Sequence, residues 1–320
     1  MHLEDLLRHL LATPPAPSPI DDIPAWWARH HEVTRAADLP VHRAILAGFS
    51  SDRPAYAFAS GYQEALRRLL GGVMPGIGAR KLSLCATEAG GNHPRSIQTR
   101  LEPDGDGHLL TGKKTYASLA SHADGYIVIA SAGADEQGRN RLVAVHVPAG
   151  REGLRIEEFS GKSLPIVPEI PHAHLHFDRV RIAPDERLPG DGYEAYLKPF
   201  RTVEDCHVYA ALLAWILQVG RRAAWPDALI EGLVVGLVAV SSIATADPGS
   251  PATHVALAGL IAHSERLLRD ADEHWARVDD ETRARWQRDR MLLQIAGKAR
   301  AKRREAAWTR LRNPDAADPG

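Results

Sequence analysis

Cysteine is scarce in this chain: Cys85 and Cys206 are the only two among 320 residues. Two thiols cannot build a disulfide framework or, by themselves, a zinc cluster. Their scarcity fits a reducing cytosol. An excess of charge of one sign is also absent. Lys and Arg number 39 and Asp and Glu 40, for a net charge of -1. No global basic surplus therefore speaks for a nucleic-acid partner. A clean apolar run is missing too, where a membrane span needs about 20 apolar residues. The nearest approach, Leu229 to Ala246, is interrupted by Glu231 and carries Gly232, Gly236, Ser241 and Ser242. A buried bundle helix is the expectation there. The first residues, Met1 to Leu11, hold Glu4, Asp5 and Arg8 among leucines and read as an amphipathic helix, not a secretory signal. Gly90-Gly91 lacks the Gly-Lys-Ser/Thr of a phosphate loop. Together these absences point to a cytoplasmic protein with no membrane span.

What is present is ordinary globular composition, 44% hydrophobic and 25% charged. The length suffices for two or three packed units. Three textures follow one another. Residues 1–79 are helical, with Leu3, Leu6, Leu7 and Leu10 at helical spacing, a proline-rich stop from Pro14 to Pro19, and helices expected near Ile23–Ala37, Val41–Phe49 and Tyr56–Leu70. Residues 80–190 are β-rich. Gln98 to Pro103 and His108 to Gly112 flank Asp104-Gly105-Asp106-Gly107 as a hairpin. Short strands continue at a spacing that suggests a barrel or sandwich, not alternating strands and helices. Residues 191–320 return to helix: Gly192–Arg222, Pro226–Ala246, Ala252–Val278 and Thr282–Leu311, a four-helix bundle with a polar tail from Asn313 to Gly320. The fold class is α+β and multidomain.

The densest signal runs from Leu84 to Ser118. It opens with Cys85-Ala86-Thr87-Glu88-Ala89-Gly90-Gly91-Asn92-His93 and closes with Gly112-Lys113-Lys114-Thr115-Tyr116-Ala117-Ser118. Hydroxyls, glycines and an aromatic on neighbouring strands can present donors to a flat heteroaromatic ligand. These segments, in order with Ala123-Asp124 and Phe177-Asp178-Arg179-Val180-Arg181-Ile182-Ala183-Pro184, resemble the acyl-CoA dehydrogenase family. The family's TEPxAGSD and GxKxWITNA motifs appear in altered form, with Tyr116 at the tryptophan position and Ser118 at the threonine.

The resemblance implies FAD held between the middle domain and the C-terminal helices. It places Ala86 and Thr87 at the flavin's pyrimidine edge, Ser118 donating toward N5, Tyr116 flanking the ring, and Asn92 near phosphates. It implies α,β-dehydrogenation of an acyl-CoA or acyl-carrier thioester, a flavin-linked electron acceptor, and assembly as a homo-oligomer or with another family member. The family's C-terminal glutamate before Gly-Thr, its Arg-Phe-Gly segment and its Gln-Gly-Gly motif are not evident, and the C-terminal region reads as shortened. The best catalytic base is then Glu204 in Phe200-Arg201-Thr202-Val203-Glu204-Asp205-Cys206-His207, with Asp205 as substitute and His207 on the same face. Surface ion pairs are the competing account of these charges. A noncatalytic binding or regulatory subunit is the rival function.

Three other groups read as structural. His172, His174 and His176 alternate on one strand face and are expected to be exposed or partly buried rather than a metal site. His30-His31 reads as helix surface. Lys298, Arg300, Lys302, Arg303 and Arg304 read as a solvated helix face.

Overall fold

The computed structural model describes residues 1–159 and 165–313; the polar tail beyond Asn313 lies outside the described residues. The chain divides into two compact units, Met1–Ala65 with the chain from Thr202 onward, and Leu66–Arg201.

In the first unit, α1 (Leu3–Ala12) buries Leu6 and Leu10, with Glu4 and Asp5 at its positive end. Helix α2 (Ile23–Thr34) starts at Asp22, whose carboxylate accepts the Ala25 amide at 2.8 Å. Helices α3 (Pro40–Ser50) and α4 (Pro54–Leu70) follow. His30 departs from its expected surface position. Its Nε2 lies 3.0 Å from Glu64 Oε1, which also accepts Arg43 Nε at 3.0 Å, and its Nδ1 is 3.1 Å from Ser60 Oγ. Glu64 is fully buried. A carboxylate taken out of water needs such partners, and α2 and α3 supply them.

Helix α5 (Lys198–Arg222) is buried all round from Cys206 to Val219, as a central bundle helix must be. Gly48 on α3 meets it backbone to backbone: a Cβ there would fall 2.1 Å from the Ala211 carbonyl oxygen. Helix α6 (Asp227–Thr245) is long and apolar enough to cross a membrane. It buries Leu229, Leu233, Leu237 and Val240 and leaves Val235 and Val238 exposed. The bundle continues with α7 (Pro251–Asp270), α8 (Asp280–Asp289) and α9 (Gly297–Arg312).

The last two helices are more broken than their periodicity predicts. Helix α7 stops at Asp270, and a short 3-10 segment, Asp272–Arg277, packs Trp275 against Trp286 with centroids 5.3 Å apart. Between α8 and α9 the Leu293 carbonyl accepts the Tyr209 hydroxyl at 3.1 Å and the Arg300 guanidinium. A 3-10 segment, Arg290–Leu293, separates the two helices there. Two of the five clustered basic residues therefore turn inward, because Arg300 and Arg303 both pair with buried Asp205. The solvated-face expectation fails for them, and Asp205 is a structural anchor.

The second unit is a mixed seven-stranded sheet. Its strands are β1 (Leu82–Cys85), β2 (Arg100–Asp104), β3 (Gly107–Ser118), β4 (Gly125–Ala134), β5 (Asn140–Pro148), β6 (Leu154–Glu158) and β7 (His172–Ile182). The order is β1-β4-β2-β3-β7-β6, with β5 on β4. Strands β1 and β4 run parallel, with Leu82 opposite Gly125, and the β2–β3 pair is the expected hairpin. The sheet curves about Cys85, Leu110, Tyr126, Val145, Leu175 and Phe177. The chain leaves it through a π-helical turn, Gly192–Leu197, started by Asp191 accepting the amides of Tyr193 and Glu194 at 2.8 and 2.9 Å. The sequence showed only a continuous helix over that turn.

Candidate functional site

The β1 exit and strand β3 meet directly. The Thr115 amide donates to the Thr87 carbonyl at 2.8 Å. Beneath this contact Lys114 is fully buried, its Nζ 2.6 Å from Glu88 Oε1 and 3.3 Å from the Ala86 carbonyl. Glu88 also accepts the amides of Gln98 and Thr99 at 2.8 and 3.0 Å and the Thr99 hydroxyl at 2.8 Å. One carboxylate thus ties the β1 exit to the approach of β2 and to β3. Burial favours the neutral carboxyl. The Lys114 bond and charge and the two amides outweigh it and hold Glu88 below the usual carboxylate range. Burial also lowers the Lys114 ammonium, against the pull of Glu88. The sequence showed both residues only as letters of a motif; nothing in their spacing marks them as a pair.

Gly112 makes the close pass possible. It sits at φ 152°, and a Cβ there would lie 2.6 Å from Thr99 Cα. Glu88, Ala89 and Gly90 on one side, with Thr99, Gly112 and Thr115 on the other, line an open cleft of about 690 Å³.

A bulge interrupts β3. Lys114 pairs with Leu175 and Ala117 with Ala173, so three steps on β3 match two on β7. Lys114 and Ala117 both point into the core, and Tyr116 is thrown outward, 55% exposed, at φ 56°. A bulky residue rarely adopts that left-handed conformation. Its ring meets Phe159 edge to face at 5.2 Å, and Phe159 meets His174 at 4.6 Å.

The other expected residues take these positions. Ala86 is buried beside Lys114. Thr87 is half-buried, and neither its amide nor its hydroxyl has a hydrogen-bond partner among the described residues. Ser118 is half-buried at the end of β3, its Oγ 3.1 Å from His172 Nε2. Asn92 is exposed, with its carbonyl and Oδ1 facing Arg201 Nη2 at 3.2 and 3.4 Å. The alternating histidines have separate duties. His172 Nδ1 is 2.8 Å from the Ile170 carbonyl, and His176 Nε2 is 2.7 Å from Glu157. No cluster able to hold a metal ion exists among the described residues.

In the first unit, Glu204 lies on α5, half-buried, with no hydrogen bond or ion pair to it among the described residues. Burial and the neighbouring Asp205 charge push its carboxyl up to about 8, against the pull of Arg300. His207 is buried and donates through Nδ1 to the Val203 carbonyl at 2.7 Å.

Residues 83–180 match the family model of the acyl-CoA dehydrogenase middle domain. The chain carries that domain within an acyl-CoA dehydrogenase fold. Butyryl-CoA dehydrogenase of Megasphaera elsdenii superposes with a TM-score of 0.74 at 14% identity, over 96% of this chain and 98% of that one. The FAD complex of PigA gives 0.66 at 14% identity, over 96% and 93%. The prolyl acyl carrier protein oxidase AnaB gives 0.61 at 12%, over 95% and 93%. No curated protein matches by sequence.

Proposed function

We propose that this acyl-CoA dehydrogenase-like chain is an FAD-dependent oxidoreductase that desaturates an acyl thioester between its α- and β-carbons. The observation that carries the reading is the set of groups assembled at the β1 exit and the end of β3. There the Thr87 amide and hydroxyl have no partner among the described residues, the Ser118 hydroxyl is half-buried and Tyr116 is held outward in a strained bulge. These groups suit a flavin, which needs polar contacts along one edge and an aromatic on its face. Ala86 and Thr87 would take the pyrimidine edge, Tyr116 the ring, Ser118 the N5 side, and Asn92 the phosphates. Bound FAD would supply the acceptor for hydride leaving the β-carbon. Glu204 is the base proposed to remove the α-proton. With no ion pair to it among the described residues, the carboxylate is available once ionised.

The structural neighbours support this reading: one is a CoA-thioester dehydrogenase, one an FAD complex and one a carrier-protein oxidase. Assembly through the bundle as a homo-oligomer, or with a related subunit, belongs to the same proposal, with the exposed Val235 and Val238 of α6 as its contact.

The test is a visible spectrum of purified protein with and without added FAD, followed by anaerobic titration with acyl-CoA and acyl-carrier thioesters. Flavin absorbance that bleaches with a thioester supports the reading. A flavin-bearing protein that no thioester bleaches favours a noncatalytic subunit, and a colourless protein that ignores FAD removes the flavin altogether.

A further inference from the structure

The contact between Ser118 and His172 has a direction. The Ile170 carbonyl can only accept, so His172 Nδ1, 2.8 Å away, must carry the ring proton and donate it. Burial lowers the His172 pKa, which favours the neutral ring, and with the proton on Nδ1 the neutral ring leaves Nε2 a bare acceptor. The Ser118 hydroxyl, 3.1 Å from Nε2, therefore gives its proton to the histidine. Ser118 is the last residue of β3 and lies opposite His172 in the β3–β7 register, so the backbone fixes the pair as firmly as the side chains do.

We propose that His172 is a positioning residue that commits the Ser118 hydroxyl proton to itself, so that Ser118 offers oxygen lone pairs, not a proton, to the ligand seated against it. Resting on the flavin reading above, the inference specifies which state of the cofactor this chain prefers. Flavin N5 is a bare acceptor when oxidised and an N–H donor when reduced. A serine that presents lone pairs matches the N–H. The resemblance to the family implied the opposite polarity, with Ser118 as donor.

The first experiment uses flavin-free protein labelled with ¹⁵N-histidine. Long-range ¹H–¹⁵N spectra at neutral pH, with His172 assigned from the His172→Gln variant, should show a neutral ring protonated on Nδ1. A ring protonated on Nε2, or on both nitrogens, overturns the proposal. The second experiment measures the midpoint potential of bound FAD by dye equilibration. His172→Phe frees the Ser118 proton and should shift the preference toward oxidised flavin by about three- to tenfold, the worth of a single hydrogen bond. His172→Gln keeps an acceptor near the Nε2 position and should restore most of the wild-type value. In a Ser118→Ala background the phenylalanine exchange should change nothing further; an equal shift there shows the effect does not pass through Ser118 and rejects the role. Wild-type protein that binds no FAD sinks the functional reading, while the histidine spectra still decide the hydroxyl's direction.

Discussion

Lys114 and Glu88 form an ion pair 2.6 Å long inside the sheet unit, the ammonium wholly out of solvent and the carboxylate 8% exposed. The two residues stand on the two segments that together shape the cleft. Because the Glu88 carboxylate also accepts from Gln98 and Thr99, the pair acts as the joint of that region rather than as a surface ornament.

Removing one partner should therefore cost heavily. Lys114→Met leaves a buried carboxylate without its cation and is expected to cost about 3–5 kcal/mol in chemical denaturation. The double variant Lys114→Met, Glu88→Gln should recover part of that loss. A single variant within about 1 kcal/mol of wild type would show that the pair holds nothing together. The acid limb gives a second reading. Glu88 is held below its ordinary value of 4.5, so its contribution is complete above that pH and lost as pH falls through the lowered value. Lys114→Met should flatten this acid dependence.

Tyr116 allows a comparison of two truncations. In most strands alanine is the better choice over glycine. At φ 56° the preference should invert, with Tyr116→Gly more stable than Tyr116→Ala by about 1 kcal/mol. Paired thermal melts decide this, and the usual order would mean that the tyrosine backbone is not left-handed in solution. Both variants should bind FAD more weakly than wild type if Tyr116 flanks the ring.

Glu204 titrates at about 8, so it is mostly protonated at neutral pH and cannot act as a base until it ionises. Thioester-driven flavin bleaching should rise with pH and level off above about 8. Glu204→Gln should abolish bleaching and keep the flavin. Stability carries the opposite sign to an ordinary carboxylate. The folded state holds the proton more tightly, so wild type loses stability as pH rises from the ordinary value of 4.5 through about 8. Melting points of wild type and Glu204→Gln should agree below pH 4.5 and separate at pH 9, with the glutamine variant higher. Equal melting points below pH 4.5 and at pH 9 would place the carboxyl in water.

Asp205 raises Glu204 by its charge while anchoring Arg300 and Arg303. Asp205→Asn should move the bleaching profile to lower pH, since the like charge disappears and the two guanidiniums remain close by. Circular dichroism at each pH separates this shift from loss of the bundle. An unmoved profile in folded protein would detach Asp205 from the base.

Much of this was legible in the residues alone. Leucine spacing marks α1, alternation marks β2 and β3, and Asp104-Gly105-Asp106-Gly107 fixes the hairpin, because these patterns are local. What stayed hidden depends on contacts between distant residues. Arg300 looks like one charge in a basic run until Asp205, ninety-five positions earlier, meets it. His30 looks superficial until the buried Glu64 demands a partner. The β3 bulge has no signature in Lys114-Thr115-Tyr116-Ala117, since strict alternation would set Lys114, Tyr116 and Ser118 on one face. The thioester and flavin readings came from motif resemblance, and the residues alone offered only hydroxyls, glycines and an aromatic in suggestive order.

That bulge has an implication for how the segment tolerates deletion. Take Tyr116 out, and Lys114, Thr115 and Ala117 would sit opposite Leu175, His174 and Ala173 in an uninterrupted ladder, with Lys114 and Ala117 still facing the core. The shortened strand would pair more regularly than the natural one and shed its strained torsion. The deletion would therefore trade the strain at this position for the loss of the ring and its edge-to-face contact with Phe159.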